Sequence, residues 1–172
     1  MEFQTLLRGC GIDSKDVALC LHKPSHPLER RAVTRLAAIG SPLFEAYQST
    51  HGHGIEATVK ARPYFASFLT RGDGTQLFIG LYRRADWTDP TGPSFNSDPV
   101  FAEMMRHFVD VPGFAERGFA KRARFQLDLL PELADLRGRL VVADPKGIRY
   151  VRLGETTPLI VVRITEHPFE PA

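Results

Sequence analysis

The chain has 172 residues, a length that fits one ordinary domain and buries roughly two-thirds of its unfolded surface. Apolar residues make up 43% and charged residues 24%, which excludes wholesale disorder, and a formal charge of +2 is too small to announce a nucleic-acid partner on its own. No apolar run approaches the roughly 18 residues of a membrane helix, and the start, MEFQTLLRGCGIDSKD, has acidic residues where a leader would carry a basic segment, so a cytoplasmic protein without a membrane partner is expected.

In chain order, Glu2 to Arg8 reads as a short amphipathic helix or turn stopped by Gly9 and Gly11, and Val17–Leu21 as a short buried strand. Cys10 and Cys20 lack CxxC spacing, so buried thiols are expected rather than a disulfide framework or a zinc site. His22 to Pro27 reads as a loop. Leu28 to Ile39 places Leu28, Ala32, Val33, Leu36 and Ile39 on one helical face, and Gly40 with Ser41-Pro42 marks a stop and a new start. A second helix over about Pro42 to Thr50 is broken by HGHG at 51–54.

The rest is sheet-like. Ala57–Leu69 and Gln76–Arg84 form a predicted hairpin around Arg71-Gly72-Asp73-Gly74. Residues 86–99, with three prolines, read as a long irregular connection, Phe101–Val109 as a short helix and Phe114–Arg122 as a loop or broken turn. Phe125–Leu129, Arg139–Ala143, Ile148–Leu153 and Pro158–Thr165 read as strands, the last the strongest, with one helical turn at Pro131–Leu136. The expected class is α+β: a small curved or barrel-like mixed or antiparallel sheet with N-terminal helices packed against it. Residues 1–166 read as one domain and 167–172 as a tail or linker stub.

The residues that bear chemistry point to binding rather than catalysis. His22, His26, His51 and His53 match no zinc spacing, Asp86, Asp89 and Asp98 match no calcium loop, and no nucleophile-elbow, phosphate-loop or dinucleotide pattern occurs. No catalytic residue, metal or cofactor is therefore expected. Arg117, Lys121, Arg122 and Arg124 lie interleaved with Phe114, Phe119 and Phe125, the cation-beside-aromatic arrangement that tracks phosphates and stacks bases. Strict alternation along the second hairpin strand puts Phe78, Gly80 and Tyr82 on one face, opposite Leu77, Ile79 and Leu81. A glycine between aromatics leaves room for a flat ligand against the backbone.

The runs LERRAVTRLAAIGSPLFEAYQST, YFASFLTRGDGTQLFIGLYRR and FQLDLLPELADLRGRLVV resemble, in order and spacing, the N-terminal region of bacterial GIY-YIG nuclease family proteins. The matching positions are Phe44, Ala46, Tyr47 and Gln48; Ser67, Phe68, Leu77, Phe78, Gly80, Leu81 and Tyr82; and Leu136, Gly138, Leu140 and Val141. In that family the nuclease module follows the matched region, and here the chain ends where it would begin. GIRYVRLG at 147–154 echoes the GIY and YIG strands but has an inserted arginine and lacks their spacing, so it reads as strand. The resemblance implies a non-catalytic accessory domain, with a PUA-like fold by further analogy.

The expected function is a nucleic-acid-binding module, for DNA first, acting with a GIY-YIG-type nuclease in cis or in trans. Arg117, Lys121, Arg122 and Arg124 would hold phosphates, while Tyr47, Gln48, Ser67, Phe78, Gly80, Tyr82, Trp87 and Asp128 would receive a flipped or modified base. The alternative is a protein-interaction or small-ligand domain that uses Phe95, Phe101, Met104 and Met105.

Overall fold

The computed structural model describes residues 1–39, 42–51, 58, 60–88, 98–117, 123–142 and 160–166, with only the backbone for 39, 50, 51, 85–88, 117 and 123–125. The predicted strand at 148–153 and Phe95, Phe119, Lys121 and Arg122 lie outside the described residues.

The centre is a pair of long strands, β3 (Tyr64–Thr70) and β4 (Gln76–Thr88), joined by the predicted turn. Asp73 closes that turn by accepting from the Thr75 backbone N–H at 2.9 Å and its hydroxyl at 2.6 Å, and Gly74 takes φ +83°, a conformation that favours glycine. Pro63 lacks a donor and precedes β3, so the strand starts later than the expected Ala57, and Thr58 and Lys60 are helical. At the far end β4 runs through residues 86–88, which the sequence suggests are irregular.

The sheet is mixed. β1 (Val17–His22) pairs parallel to β3, while β4 pairs antiparallel to β3 and to β5 (Ala123–Leu129), which in turn pairs with the two-residue β2 (Thr50–His51). β6 (Leu140–Val142) meets β4 at Leu77, and β7 (Val162–Ile164) pairs with β6. The expected α+β class with a mixed sheet holds, and among the described residues the sheet is open rather than closed into a barrel. Among the described residues, the segment expected to be the strongest strand supplies the short β7, with Val161 and Ile164 exposed; β preference yields to position in the sheet.

Both faces of the sheet are covered, which is why β1 and β3 read as nearly continuous apolar runs. On the first face, Phe3 of α1 (Phe3–Gly9) sits 5.4 Å from the Phe68 ring and 5.5 Å from Phe78, within a core shared with Leu7, Leu19, Leu81, Leu140 and Val162. Each such burial contributes about 1.5–3 kcal/mol. On the second face lie α2 (Pro27–Ile39), α3 (Pro42–Gln48) and α4 (Pro99–Arg106), with Val33, Leu36, Phe44, Met104 and Phe108 packed on Leu69, Leu77 and Ile79. Leu28, expected on the buried helical face of α2, stays exposed, and Glu29 is buried instead. Helix α4 starts before the expected Phe101 because Asp98 caps it, accepting from the N–H groups of Val100 and Phe101.

Two local events on β4 place the candidate site. The register with β3 jumps from Ser67↔Gly80 to Phe68↔Phe78, so Ile79 is an extra, bulged residue. On the opposite edge Leu130 donates its N–H to the Leu81 carbonyl and Gly138 donates to the Phe78 carbonyl, both at 2.8 Å. Between those two bonds the chain leaves the edge as a 3-10 turn, Pro131–Leu136, and returns through Arg137 beside the bulge.

Candidate functional site

The bulge redistributes the predicted pocket residues. Phe78 packs in the first core with Leu81, whereas Leu77, Ile79 and Tyr82 belong to the second face. The expectation that Phe78 shares a face with Gly80 and Tyr82 is therefore wrong, because one inserted residue shifts every side chain beyond it to the other side. Asp128 is also placed away from the others: it is exposed, pairs in register with exposed Arg83, and alternates with Leu127 and Leu129, which pack towards Tyr82 and Gly80.

Five of the predicted residues do come together. Ser67 lies between Cys20 of β1 and Gly80 of β4 in register, and Tyr82 folds back so that its hydroxyl reaches 2.9 Å from where a Gly80 β-carbon would stand. The Leu129 side chain fills the rest of that space, also at 2.9 Å. The room left by the missing β-carbon thus seats a phenol of the chain itself. From α3, Gln48 reaches down to the same place, fully buried, beside both His22 and Tyr82. Tyr47, its neighbour, is held in an aromatic column, 5.4 Å from the His22 ring and stacked at 5.3 Å on Phe108, which stacks on Phe114 at 4.0 Å.

The polar atoms of this cluster have unused hydrogen-bonding capacity. Gln48 Nε2 and Oε1, Ser67 Oγ, Tyr82 Oη, and Arg137 Nε and Nη2 are all buried, and among the described residues none meets hydrogen-bond geometry with a partner. The Gln48 amide nonetheless lies near enough to the His22 ring and the Tyr82 hydroxyl to favour their charged forms. A buried unsatisfied group costs about 1–3 kcal/mol, so several at one point run against stability. Glu45 of α3 approaches Arg137, its Oε1 4.0 Å from Nη2, with the side chains 24% and 13% exposed respectively. Burial raises the Glu45 pKa while the Arg137 guanidinium opposes the rise. Burial pushes the Tyr82 phenol up to about 12, with Arg137 and the Gln48 amide working against that shift and Glu45 reinforcing it. The cluster therefore grades from a neutral interior at Gln48, Ser67 and Tyr82 to charged, less fully buried side chains at Glu45 and Arg137.

Glu45, Arg137, Cys20 and His22 belong to this neighbourhood but were not among the predicted site residues. His22, expected in a loop, is the last residue of β1, buried, with its Nε2 3.6 Å from Cys20 Sγ. Burial drives its pKa down to about 4, the Gln48 amide acting the other way. The i, i+2 spacing of Cys20 and His22 on a strand was the available signal. His26 instead accepts from the Leu28 N–H through Nδ1 at 3.2 Å, at the start of α2.

Of the predicted phosphate-binding set, Arg124 sits in β5 opposite Thr88 and Thr50, and Arg117 ends a 3-10 turn, Ala115–Arg117. Their side chains, like that of Trp87, which pairs in register with Phe125, lie outside the described residues, as do Lys121 and Arg122. Among the described residues no group of three or more His, Cys, Asp or Glu could hold a metal, and no helix is long and apolar enough to cross a membrane. Of the alternative interaction surface, Phe101 and Met104 are core, while Met105 lines an open depression of about 590 Å³ with Phe108, Val109, Pro112 and Phe114. Comparison with protein-family models, curated proteins and solved structures gives no match.

Proposed function

We propose that the chain is a non-catalytic nucleic-acid-binding module, with DNA as its expected target, and that the cluster on the second sheet face receives a flipped or modified base. The observation that carries this reading is the convergence of Gln48, Ser67 and Tyr82 from three separate elements, with buried donors and acceptors left unused. Unspent polar capacity at one point is the usual cost of a site shaped for a polar ligand. A base offers a flat apolar body and a polar edge, and its unstacking costs a few kcal/mol that edge hydrogen bonds offset. Entry would be from the rim at Leu129, Glu45 and Arg137, with the Leu129 and Tyr82 side chains moving aside.

The phosphate half of the reading rests on the basic run Arg117, Lys121, Arg122 and Arg124 in the sequence. In line with the family resemblance, a GIY-YIG-type nuclease in cis or in trans is the proposed companion. Fluorescence anisotropy with labelled single- and double-stranded oligonucleotides tests this. Binding at low salt that weakens steeply as salt rises is expected, and no binding at the lowest salt overturns it.

The second reading is a protein-interaction domain, favoured by the apolar depression around Met105 and Phe108 and by Val109 at its rim, 81% exposed. Val109→Asp would abolish partner capture under that reading and leave oligonucleotide binding unchanged under the first.

A further inference from the structure

We propose that Arg137 and Glu45 form a guanine-reading edge at the mouth of the Gln48–Ser67–Tyr82 cluster. This deepens the base-recognition reading and rests on it. Arg137 Nε and Nη2 are the two donors on one side of a guanidinium, and they point in parallel as a fork. Both are buried and neither has a hydrogen-bond partner among the described residues. The Glu45 carboxylate, at Oε1, stands off at 4.0 Å from Nη2, beyond hydrogen-bond reach.

The chemistry of the pair selects the ligand. A free oxyanion would suit the fork alone, but the Glu45 carboxylate beside it would repel that anion. A ligand that sets two acceptors next to donors satisfies both residues at once. Guanine does so: O6 and N7 accept from an arginine fork, and the adjoining N1–H and N2–H2 can donate to a carboxylate. An extruded base exposes every edge. Adenine puts an amino donor where O6 stands, and thymine's two carbonyls flank N3–H instead of adjoining. Cytosine meets the fork with O2 and N3 but leaves only its N4 amino group for Glu45, where guanine offers both N1–H and N2–H2. Deeper in, Gln48 supplies one donor and one acceptor, and the Ser67 and Tyr82 hydroxyls can serve as either. The rim reads the base, and the interior is adaptable.

The placement has a structural cause. The 3-10 detour between Leu130 and Gly138 brings Arg137 back at the level of the bulge, and Arg137 holds that position by donating its backbone N–H to the Ala134 carbonyl at 3.2 Å. Glu45 is one helical turn before Ser49 on the face of α3 that also presents Gln48.

The test uses the full chain and four hairpin duplexes that differ only in one unpaired base, G, A, C or T, measured by anisotropy at low salt. The wild type is expected to prefer G over A and T by about tenfold to a hundredfold, and over C by less. Arg137→Lys keeps the charge but loses the fork, and Glu45→Gln keeps the shape but loses the carboxylate. Each should reduce the preference to under about threefold while thermal melts stay cooperative. Equal affinity for all four bases in the wild type overturns the inference but leaves nucleic-acid binding standing, as does a G preference that survives both variants. If no hairpin binds, the proposed function fails, and saturation-transfer NMR with millimolar deoxyguanosine and deoxyadenosine decides the inference. Signal from deoxyguanosine that Glu45→Gln removes sustains it; its absence in the wild type overturns it.

Discussion

The Tyr82 hydroxyl rests 2.9 Å from the point where a β-carbon on Gly80 would stand, so the glycine is a seat for the phenol two residues on. Without that seat the ring would be pushed away from Gln48 and Arg137. The Gly80 backbone is not in the left-handed region, so substitution there is a matter of packing rather than of backbone strain.

Gly80→Ala should therefore destabilise the fold by about 1–3 kcal/mol, the usual cost of overpacking a filled site. In a Tyr82→Ala background the same substitution should cost measurably less, since the two Tyr82 atoms that a new methyl would meet are gone and only the end of the Leu129 side chain remains. Urea denaturation of the four members of this cycle gives the coupling. Full additivity would show that the ring does not occupy the space above Gly80.

Tyr82 should titrate apart from the other tyrosines. Burial raises its pKa to about 12, so the folded state favours the neutral phenol and its contribution to stability persists below about pH 10 and is lost as pH rises towards 12. Ultraviolet difference titration of the wild type against Tyr82→Phe should reveal the late-ionising ring. A Tyr82 midpoint near 10 would mean that the phenol is solvated.

His22 sets the acid side. Its pKa is held down to about 4 by burial, below the ordinary 6.5, so protons bind the unfolded chain more readily than the folded one. The stabilisation is complete above about pH 6.5 and declines as pH falls towards 4, by up to about 1.4 kcal/mol per pH unit. Denaturation curves at pH 7, 6 and 5 should show that slope in the wild type and a clear reduction of it in His22→Gln. A flat profile between pH 7 and 5 would contradict the buried neutral imidazole.

The orphaned polar atoms predict an inverse relation between stability and binding. Gln48→Leu and Ser67→Ala remove unsatisfied groups from the interior and should leave stability unchanged or raise it by about 1 kcal/mol. A loss above about 2 kcal/mol in both would indicate that these side chains are structural hydrogen-bonding partners.

What the sequence made legible is what periodicity and turn chemistry control. The α2 and α3 boundaries, the Arg71–Thr75 turn and the apolar character of β1 and β3 all follow from local pattern. Strict alternation failed at Ile79, because a bulge has no period, and Phe78 consequently fell on the wrong face. The parallel pairing of β1 with β3 was equally hidden, since α2, α3 and β2 all lie between the two segments and their partnership is decided by packing. Arg137 and Glu45 were missed for the same reason: they meet only because a 3-10 detour on one edge lies beneath a helix from far earlier in the chain. Tyr47, Gln48, Ser67, Gly80 and Tyr82, which the structure brings near one another, stand out in the sequence through the motifs of the resemblance and through a glycine set between aromatics on a strand.

The most direct test of the central proposal is an anisotropy titration of labelled DNA oligonucleotides with the wild type and Gln48→Leu side by side at low salt, with urea denaturation of both. Binding by the wild type that falls at least tenfold in a Gln48→Leu protein of equal or greater stability is the result expected. No binding by the wild type, or equal binding by the two, would contradict it.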